Sequence, residues 1–184
     1  MNNIEVRQLG IMDYIPAHDM YESMSEKSRW LFHPDHILTG RPHEIQWFLF
    51  QLLLIISLTP IRQILLTIVP RAAIVMMGAY FHGKMVGLAF MSGISSLPDG
   101  TRVSGMGIGV VDSYQNMGIG TLLMLKIIAT ARTENISRIR LTVQNINSRA
   151  IRMYVKYGFQ VISDYNERYK GVIIEGKLME VQLK

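Results

Sequence analysis

Hydrophobic and polar positions alternate along residues 4–8, a two-residue period that predicts a short first strand. Over residues 13–24 the spacing becomes helical, and Pro16 is tolerated in the first turn, where its missing amide has no partner to lose. Ser25-Glu-Lys-Ser begins a further short turn or helix, and Pro34 and Gly40-Arg-Pro42 break the chain. Residues 43–57 read as a strongly apolar helix that Pro60 must end or kink, and a second short helix can follow to Ile68. Pro70 marks a change of style. Residues 73–81, a turn at His82-Gly83-Lys84 and residues 85–92 form the pattern of a β-hairpin, and Leu97-Pro-Asp-Gly100 is a strong turn signal. The next strand spans 102–114. It carries Gly105, Gly107 and Gly109, which suggest a bulge or a close backbone approach by another group.

The clearest helix covers residues 118–133, with Ile119, Leu122, Leu123, Ile127 and Thr130 on one face. A strand follows at 138–143. Asn147 or Ser148 can cap a helix whose apolar face is Ile151, Tyr154 and Val155, and Gly158 ends it in a left-handed conformation. Strands near 159–165 and 178–183 close the chain. The order β, helices, β, β, β, α, β, α, β, β, without internal repeats, predicts one mixed α/β domain over residues 1–184.

Composition narrows the function. The 184 residues are 49% hydrophobic and 18% charged, ample apolar material for one core and unlike a disordered chain. The chain has no cysteine, which excludes a disulfide framework, a thiolate zinc site and a cysteine nucleophile, and fits a cytoplasmic setting. His18, His33, His36, His43 and His82 form no HExxH pattern, so no metal is expected. The net charge of +5 suits a phosphorylated cofactor or an acidic partner. Basic residues are densest at 132–156, but apolar ones interleave them; no basic face for nucleic acid is expected. The N-terminus lacks the basic-then-apolar layout of a signal peptide. Residues 45–61 are uncharged, yet Gln51, Ser57, Thr59 and Pro60 interrupt them, and Arg62 would sit mid-span at a cost of a few kcal/mol. This segment is read as buried helix rather than a membrane span, with membrane or partner contact as the alternative.

The chemistry concentrates in Val110-Val-Asp-Ser-Tyr-Gln-Asn-Met-Gly-Ile-Gly-Thr121. A strand enters a turn and a helix begins at the glycines. A helix N-terminus has orphan amides and a partial positive charge, and Gly118 and Gly120 remove the Cβ atoms that would hold an anion away. This predicts a phosphate or pyrophosphate site; a bare structural turn is the other reading. No Gly-Lys-Ser/Thr ending follows, which excludes a P-loop, and the third glycine of a dinucleotide fingerprint is missing.

Gln115-Asn-Met-Gly-Ile-Gly120 resembles the Q/R-x-x-G-x-G/A signature of the GNAT N-acetyltransferase superfamily. Asn145-Ile-Asn-Ser-Arg-Ala-Ile-Arg-Met-Tyr154 followed by Val-Lys-Tyr-Gly-Phe159 is similar to its second signature, N-x-x-A-x-x-x-Y-x-x-x-G-F. The resemblance is strong over residues 106–159 and weaker elsewhere. It implies an α/β fold with a mixed, mostly antiparallel central sheet flanked by helices. A bulge would splay the strand ending near Tyr114 from the strand ending at Val143, and the cleft between them would take acetyl-CoA.

The resemblance also implies roles. Amides from Gln115 through Asn116, Met117, Gly118, Ile119, Gly120 and Thr121 would hold the pyrophosphate. Backbone of Val110 and Val111 would pair with the pantetheine arm and supply an oxyanion donor, and Asn147 would contact that arm. Tyr154 would place its hydroxyl near the thioester sulfur as general acid. An amine acceptor, on a small molecule or a peptide, would attack the acetyl carbonyl directly. Each residue also has a plain structural role: Tyr154 as core, Asn147 as helix cap, Asp112 as a turn residue, Gln115 through its backbone only, Ile119 and Leu122 as core. The general base is open; Glu22 and Glu26 lie in the region that flanks the acceptor groove in this family, though a solvated helix face is the favoured reading of each. Ser23-Met-Ser-Glu-Lys-Ser-Arg-Trp-Leu-Phe32 resembles an S-x-x-S-R-Y/W-x-F stretch of some members.

Two further functions remain open at this level. The domain could hold an acyl-CoA without turnover and regulate a partner. The apolar segment at 45–69 could line an acceptor pocket, form a homodimer interface, thicken the core or attach the chain to a membrane.

Overall fold

The computed structural model describes residues 3–10, 13–32, 73–169 and 171–183. Expectations for His33, His36, His43, the breaks at Pro34, at residues 40–42, at Pro60 and at Pro70, and the apolar segment at 45–69 fall outside the described residues.

The alternation at the N-terminus forms β1 (Ile4–Gln8), which pairs antiparallel with β2 (Ala73–Phe81). β2 turns at His82-Gly83 into β3 (Lys84–Ser96), and β3 pairs antiparallel with β4 (Arg102–Val110). β5 (Arg138–Gln144) then lies parallel to β4, and the β6 (Gln160–Tyr169) and β7 (Val172–Gln182) hairpin returns antiparallel beside it. The sheet has seven strands in the order β1-β2-β3-β4-β5-β7-β6, and β4–β5 is its parallel pair.

Helices cover both faces. α3 (Ile119–Thr133) buries Ile119, Leu123, Met124, Ile127, Ile128 and Ala131, and with α4 (Ser148–Lys156) builds the larger core. α1 (Tyr14–Glu22) and α2 (Glu26–Phe32) cover the other face around Met20, Met24, Phe32, Met76, Leu88 and Phe90. Fully burying such side chains stabilises by about 1.5–3 kcal/mol each, so two apolar layers fix the sheet between them. Asp13 staples α1 to the sheet. It accepts both Arg7 Nη groups at 2.8 and 2.7 Å, the Gly10 amide at 2.6 Å and the Tyr80 hydroxyl at 2.7 Å. The Arg7 guanidinium holds the Asp13 carboxyl well below the usual carboxylate range against the effect of burial.

Strand alternation explains the glycines of β4. Met106, Ile108 and Val110 face the α3 side, and Gly105, Gly107 and Gly109 face the other. A Cβ on Gly109 would stand 2.8 Å from the Phe32 ring, and one on Gly107 would collide with the Phe90 ring. The expected close approach therefore comes from two aromatic rings, which lie edge to face at 6.1 Å. The expected bulge is on β3, where the register shifts between Ser92 and Ser95 and Gly93 has φ 59.

Several expected boundaries and faces shift. The strand placed at 102–114 ends at Val110; Asp112–Tyr114 is a single 3-10 turn. Leu122, expected in the core, is 36% exposed, and Val155, expected on the apolar face of α4, is 55% exposed. The last two strands are longer than their sequence pattern, because Gly171 turns them into a continuous hairpin whose outer residues need no burial.

Candidate active site

The site begins where β4 and β5 part. They pair only at Val103↔Arg138, Ser104↔Ile139 and Gly105↔Arg140, near their N-terminal ends. Beyond that point β4 stays on β3 and β5 stays on β7, so a gap opens between them. Antiparallel ladders bond alternate residues to each side. The Val111 amide donates to the Val86 carbonyl at 3.0 Å, which sets the phase on β4: the N–H groups of Ile108 and Val110 turn toward the gap. The Asn145 amide donates to the Glu175 carbonyl at 3.0 Å, so on the facing wall Thr142 and Gln144 turn their backbone inward. Val111, with its amide spent on β3 and its side chain buried against the α1–α2 layer, does not face the gap; Ile108 does.

On one side the gap meets the start of α3. Gly118 is the N-cap at φ 76, and Asn116 is also left-handed at φ 63. A residue with a Cβ pays roughly 1–2 kcal/mol in this conformation, which is why the turn carries glycine. The Leu122 amide donates to the Gly118 carbonyl at 3.0 Å as the first helical bond. The amides of Ile119, Gly120 and Thr121 thus precede the ladder and point out of the helix end, where the partial positive charge lies. They line a cleft of about 250 Å³ together with Val110, Asn147 and Tyr154. A Cβ on Gly120 would come within 3.7 Å of Met153 Sδ and 3.9 Å of Val110 Cγ2, ordinary contacts that place it on the cleft floor. Met117, by contrast, is exposed and lies off this lining.

Gln115 and Asp112 brace the turn. The Gln115 amide donates to the Asp112 carbonyl at 3.2 Å, and its side chain donates to the Val110 carbonyl at 2.9 Å and to Ser28 Oγ at 3.2 Å. Asp112 accepts from the Ser25 amide at 2.8 Å and from the Ser25 and Ser28 hydroxyls at 2.8 and 2.7 Å. Burial works against the Asp112 charge, but the Ser25 amide and the two hydroxyls outweigh it and hold its pKa below the ordinary range. Such a carboxylate is an anchor and a poor base. The Ser25–Phe32 stretch has a physical reason: its serines bind Asp112, Phe32 covers Gly109, and the Trp30 carbonyl accepts from Gln144 Nε2 at 3.1 Å.

A second cavity of about 280 Å³ continues through the gap toward β5 and β7, and Ile108, Asn147 and Tyr154 line both. Tyr154 is 6% exposed, its ring 5.4 Å from that of Phe159. Burial pushes its pKa above the usual tyrosine value. Its hydroxyl bonds to no described residue, and Tyr154 lines both cavities. Asn147 caps α4 by accepting the Ala150 amide at 3.2 Å, which leaves its side-chain NH₂ for the cleft. Glu22 pairs with Arg29 at 3.1 Å, and neither Glu22 nor Glu26 lines either cavity.

Three features were missed from sequence. The cleft-facing amide of Ile108 needed the ladder phase, which no spacing reveals. The Asp112–Ser25–Ser28 brace joins residues far apart in the chain. Arg149, whose Nη1 lies 3.5 Å from Asn116 Oδ1 on the rim of the smaller cavity, had a signal in its place between Asn147 and Ala150 of the second signature.

Among the described residues no group of His, Asp and Glu is placed to hold a metal, and no helix is long and apolar enough to cross a membrane. The open gap beside orphan helix amides fits a ligand with an extended, hydrogen-bonding arm and a diphosphate.

Comparison with known proteins bears on that fit. Over 95 residues the chain is 32% identical to Probable N-acetyltransferase san of Drosophila melanogaster, covering 51% of each, so it spans about half the length of that curated relative. Among solved structures it resembles an acetyltransferase of the GNAT family from Streptococcus pneumoniae (TM-score 0.66, 18% identity, 98% of this chain and 99% of that one). It also resembles yncA of Salmonella typhimurium, described as an acetyltransferase and solved with its cofactor acetyl-CoA (TM-score 0.70, 17% identity, 100% of this chain and 95% of that one). These structures share its fold. The profile of the acetyltransferase (GNAT) family matches residues 26–159, from the start of α2 to the end of the turn after α4, and the chain belongs to that family.

Proposed function

We propose that the chain is an acetyl-CoA-dependent N-acetyltransferase acting on a primary amine. The observation that carries this reading is the place of Tyr154: it is buried, its hydroxyl bonds to no described residue, and it lines both halves of the gap. The half at the start of α3 suits the phosphorylated donor, and the half toward β5 suits the acceptor.

Acetyl-CoA supplies an activated acyl carbon on a thiol leaving group. The amides of Ile119, Gly120 and Thr121 hold its diphosphate at the helix end. The Val110 and Ile108 N–H groups act as a strand edge toward the pantetheine arm, and one of them donates to the carbonyl oxygen as negative charge builds there. Tyr154 donates its proton to the sulfur as the carbon–sulfur bond breaks and the carbon–nitrogen bond forms. Burial keeps Tyr154 protonated at neutral pH, the state an acid needs. The gap itself supplies proximity and orientation between two bound molecules. No carboxylate lines either cavity among the described residues, so the ammonium's first proton leaves to water in this scheme, and the second, released as the amide forms, restores the one Tyr154 gave to sulfur.

The test is free-thiol release from acetyl-CoA against a panel of amines and peptides. Release that depends on one acceptor class supports the reading. Tight acetyl-CoA binding with no release on any acceptor would favour instead a domain that holds an acyl-CoA without turnover.

A further inference from the structure

The acceptor half of the gap has an electrostatic character that acetyl transfer alone does not require. On β5, Arg138, Arg140, Thr142 and Gln144 share the sheet face opposite α3, and their cross-strand partners on β7 are Gln182, Glu180, Leu178 and Gly176. Of the residues lining this cavity, Arg140 is the one with a full charge among those described; its titratable companions are Tyr154 and Tyr165. Glu180 accepts from Arg140 Nε at 2.6 Å and from Arg138 Nη1 at 3.4 Å. One carboxylate against two guanidiniums leaves a positive charge, and the two Nη groups of Arg140 donate to no described residue. The Arg140 side chain is 37% exposed, so these donors are reachable. Around it stand the Ser92, Thr142 and Tyr165 hydroxyls, with Phe90, Leu141 and Leu178 as apolar walls.

We infer that this half of the gap takes a small primary amine that also carries a carboxylate, an amino-acid-like acceptor, and that Arg140 selects it by donating its free Nη groups to the carboxylate. A planar guanidinium matches a carboxylate with two parallel hydrogen bonds. The arrangement also opposes cationic acceptors, because nothing acidic among the described residues lines the cavity to receive a second ammonium. A fixed positive charge near the reacting amine favours its neutral form, the form that attacks. The step stays balanced: the ammonium loses one proton to solvent, the neutral nitrogen bonds to the acetyl carbon, the carbon–sulfur bond breaks with its electron pair on sulfur, sulfur takes the Tyr154 proton, and the nitrogen's second proton, released as the amide forms, replaces it through water. The inference rests on the acetyl-transfer reading above.

The experiment measures thiol release from acetyl-CoA with several free amino acids, each beside its own carboxamide, a diamine and a tripeptide. Wild type is compared with Arg140→Gln, Arg140→Lys and Glu180→Gln, and acetyl-CoA affinity serves as the control for folding. Comparing the acid-to-amide ratio across variants cancels the intrinsic basicity of each amine. The expected result is a ratio that falls about 10- to 100-fold in Arg140→Gln, the scale of a charged hydrogen bond, through KM rather than kcat. Arg140→Lys should recover part of it, and Glu180→Gln, which frees Arg140, should raise it. A ratio unchanged in Arg140→Gln, a preference for the diamine, turnover of the tripeptide alone, or acetyl-CoA binding without turnover of any amino acid would each overturn the inference while leaving acetyl transfer standing. Failure of wild type to bind acetyl-CoA would remove the reading beneath it.

Discussion

Tyr154→Phe separates a catalytic hydroxyl from a structural tyrosine, because the two roles predict opposite patterns. The ring is buried and packs on Phe159, and phenylalanine keeps that contact. The hydroxyl bonds to no described residue, so its removal breaks no internal hydrogen bond. Burying a hydroxyl without a partner costs on the order of 1–3 kcal/mol in proteins. Access to the two cavities lets solvent offset part of that, so the variant should be between unchanged and about 1 kcal/mol more stable. For a domain of this size, 1 kcal/mol moves Tm by roughly 2–4 °C. Turnover should move the other way. Loss of a general acid lowers rate by about 10²-fold or more, with acetyl-CoA affinity little changed. Thermal unfolding followed by circular dichroism and thiol release at saturating substrates measure both on one preparation. A variant that melts several degrees lower while turning over like wild type would return Tyr154 to the core and refute its assignment as the acid.

Three other outcomes follow from the same geometry. Gly120→Val should abolish measurable acetyl-CoA binding in calorimetry while the protein stays folded, because a Cβ there meets only ordinary contacts and its methyls fill the cleft; an unchanged Kd would remove the helix end from the cofactor site. Asp13→Asn should destabilise by about 1–3 kcal/mol at neutral pH, since it leaves Arg7 and Tyr80 without their charged acceptor. The Asp13 pKa is depressed by folding, so its stabilisation is complete above the unfolded value of about 3.9 and is lost as pH falls through and below it. In denaturant curves the gap between wild type and variant should therefore be narrower at pH about 3 than at neutral pH, and an equal gap at both would contradict the ion pair. Finally, kcat/KM should rise with pH as the acceptor amine loses its proton and show no fall up to the ordinary tyrosine value of about 10, because burial holds Tyr154 protonated beyond it. A descending limb near neutrality would assign the acid to another group.

Local signals carried the elements that bear the site. The glycine turn opened α3 one residue after Gly118, Asn147 capped α4 as its side chain allows, and β1 matched its alternation residue for residue. These are short-range effects: capping, left-handed glycine and period. The misplacements come from tertiary context. Leu122 has helical spacing suited to burial, yet α3 meets the sheet along the Leu123–Ile127 line, and Leu122 falls outside it. Val111 and Ile108 are equally apolar; which one offers its amide to the gap depends on hydrogen-bond phase with β3, which is invisible in one strand's sequence. Asp112 looks like a turn residue and is one, but its partners Ser25 and Ser28 are more than eighty residues away. The pairing of Arg140 with Glu180 is likewise a cross-strand event.

The most direct test of acetyl transfer is a calorimetric titration of the full chain with acetyl-CoA, with dephospho-acetyl-CoA and the pantetheine thioester alone as references. Saturable one-to-one binding that weakens sharply once the diphosphate is removed is the predicted result. Absence of saturable binding, or binding indifferent to the diphosphate, would contradict the assignment of the α3 start as the cofactor site and with it the proposed reaction.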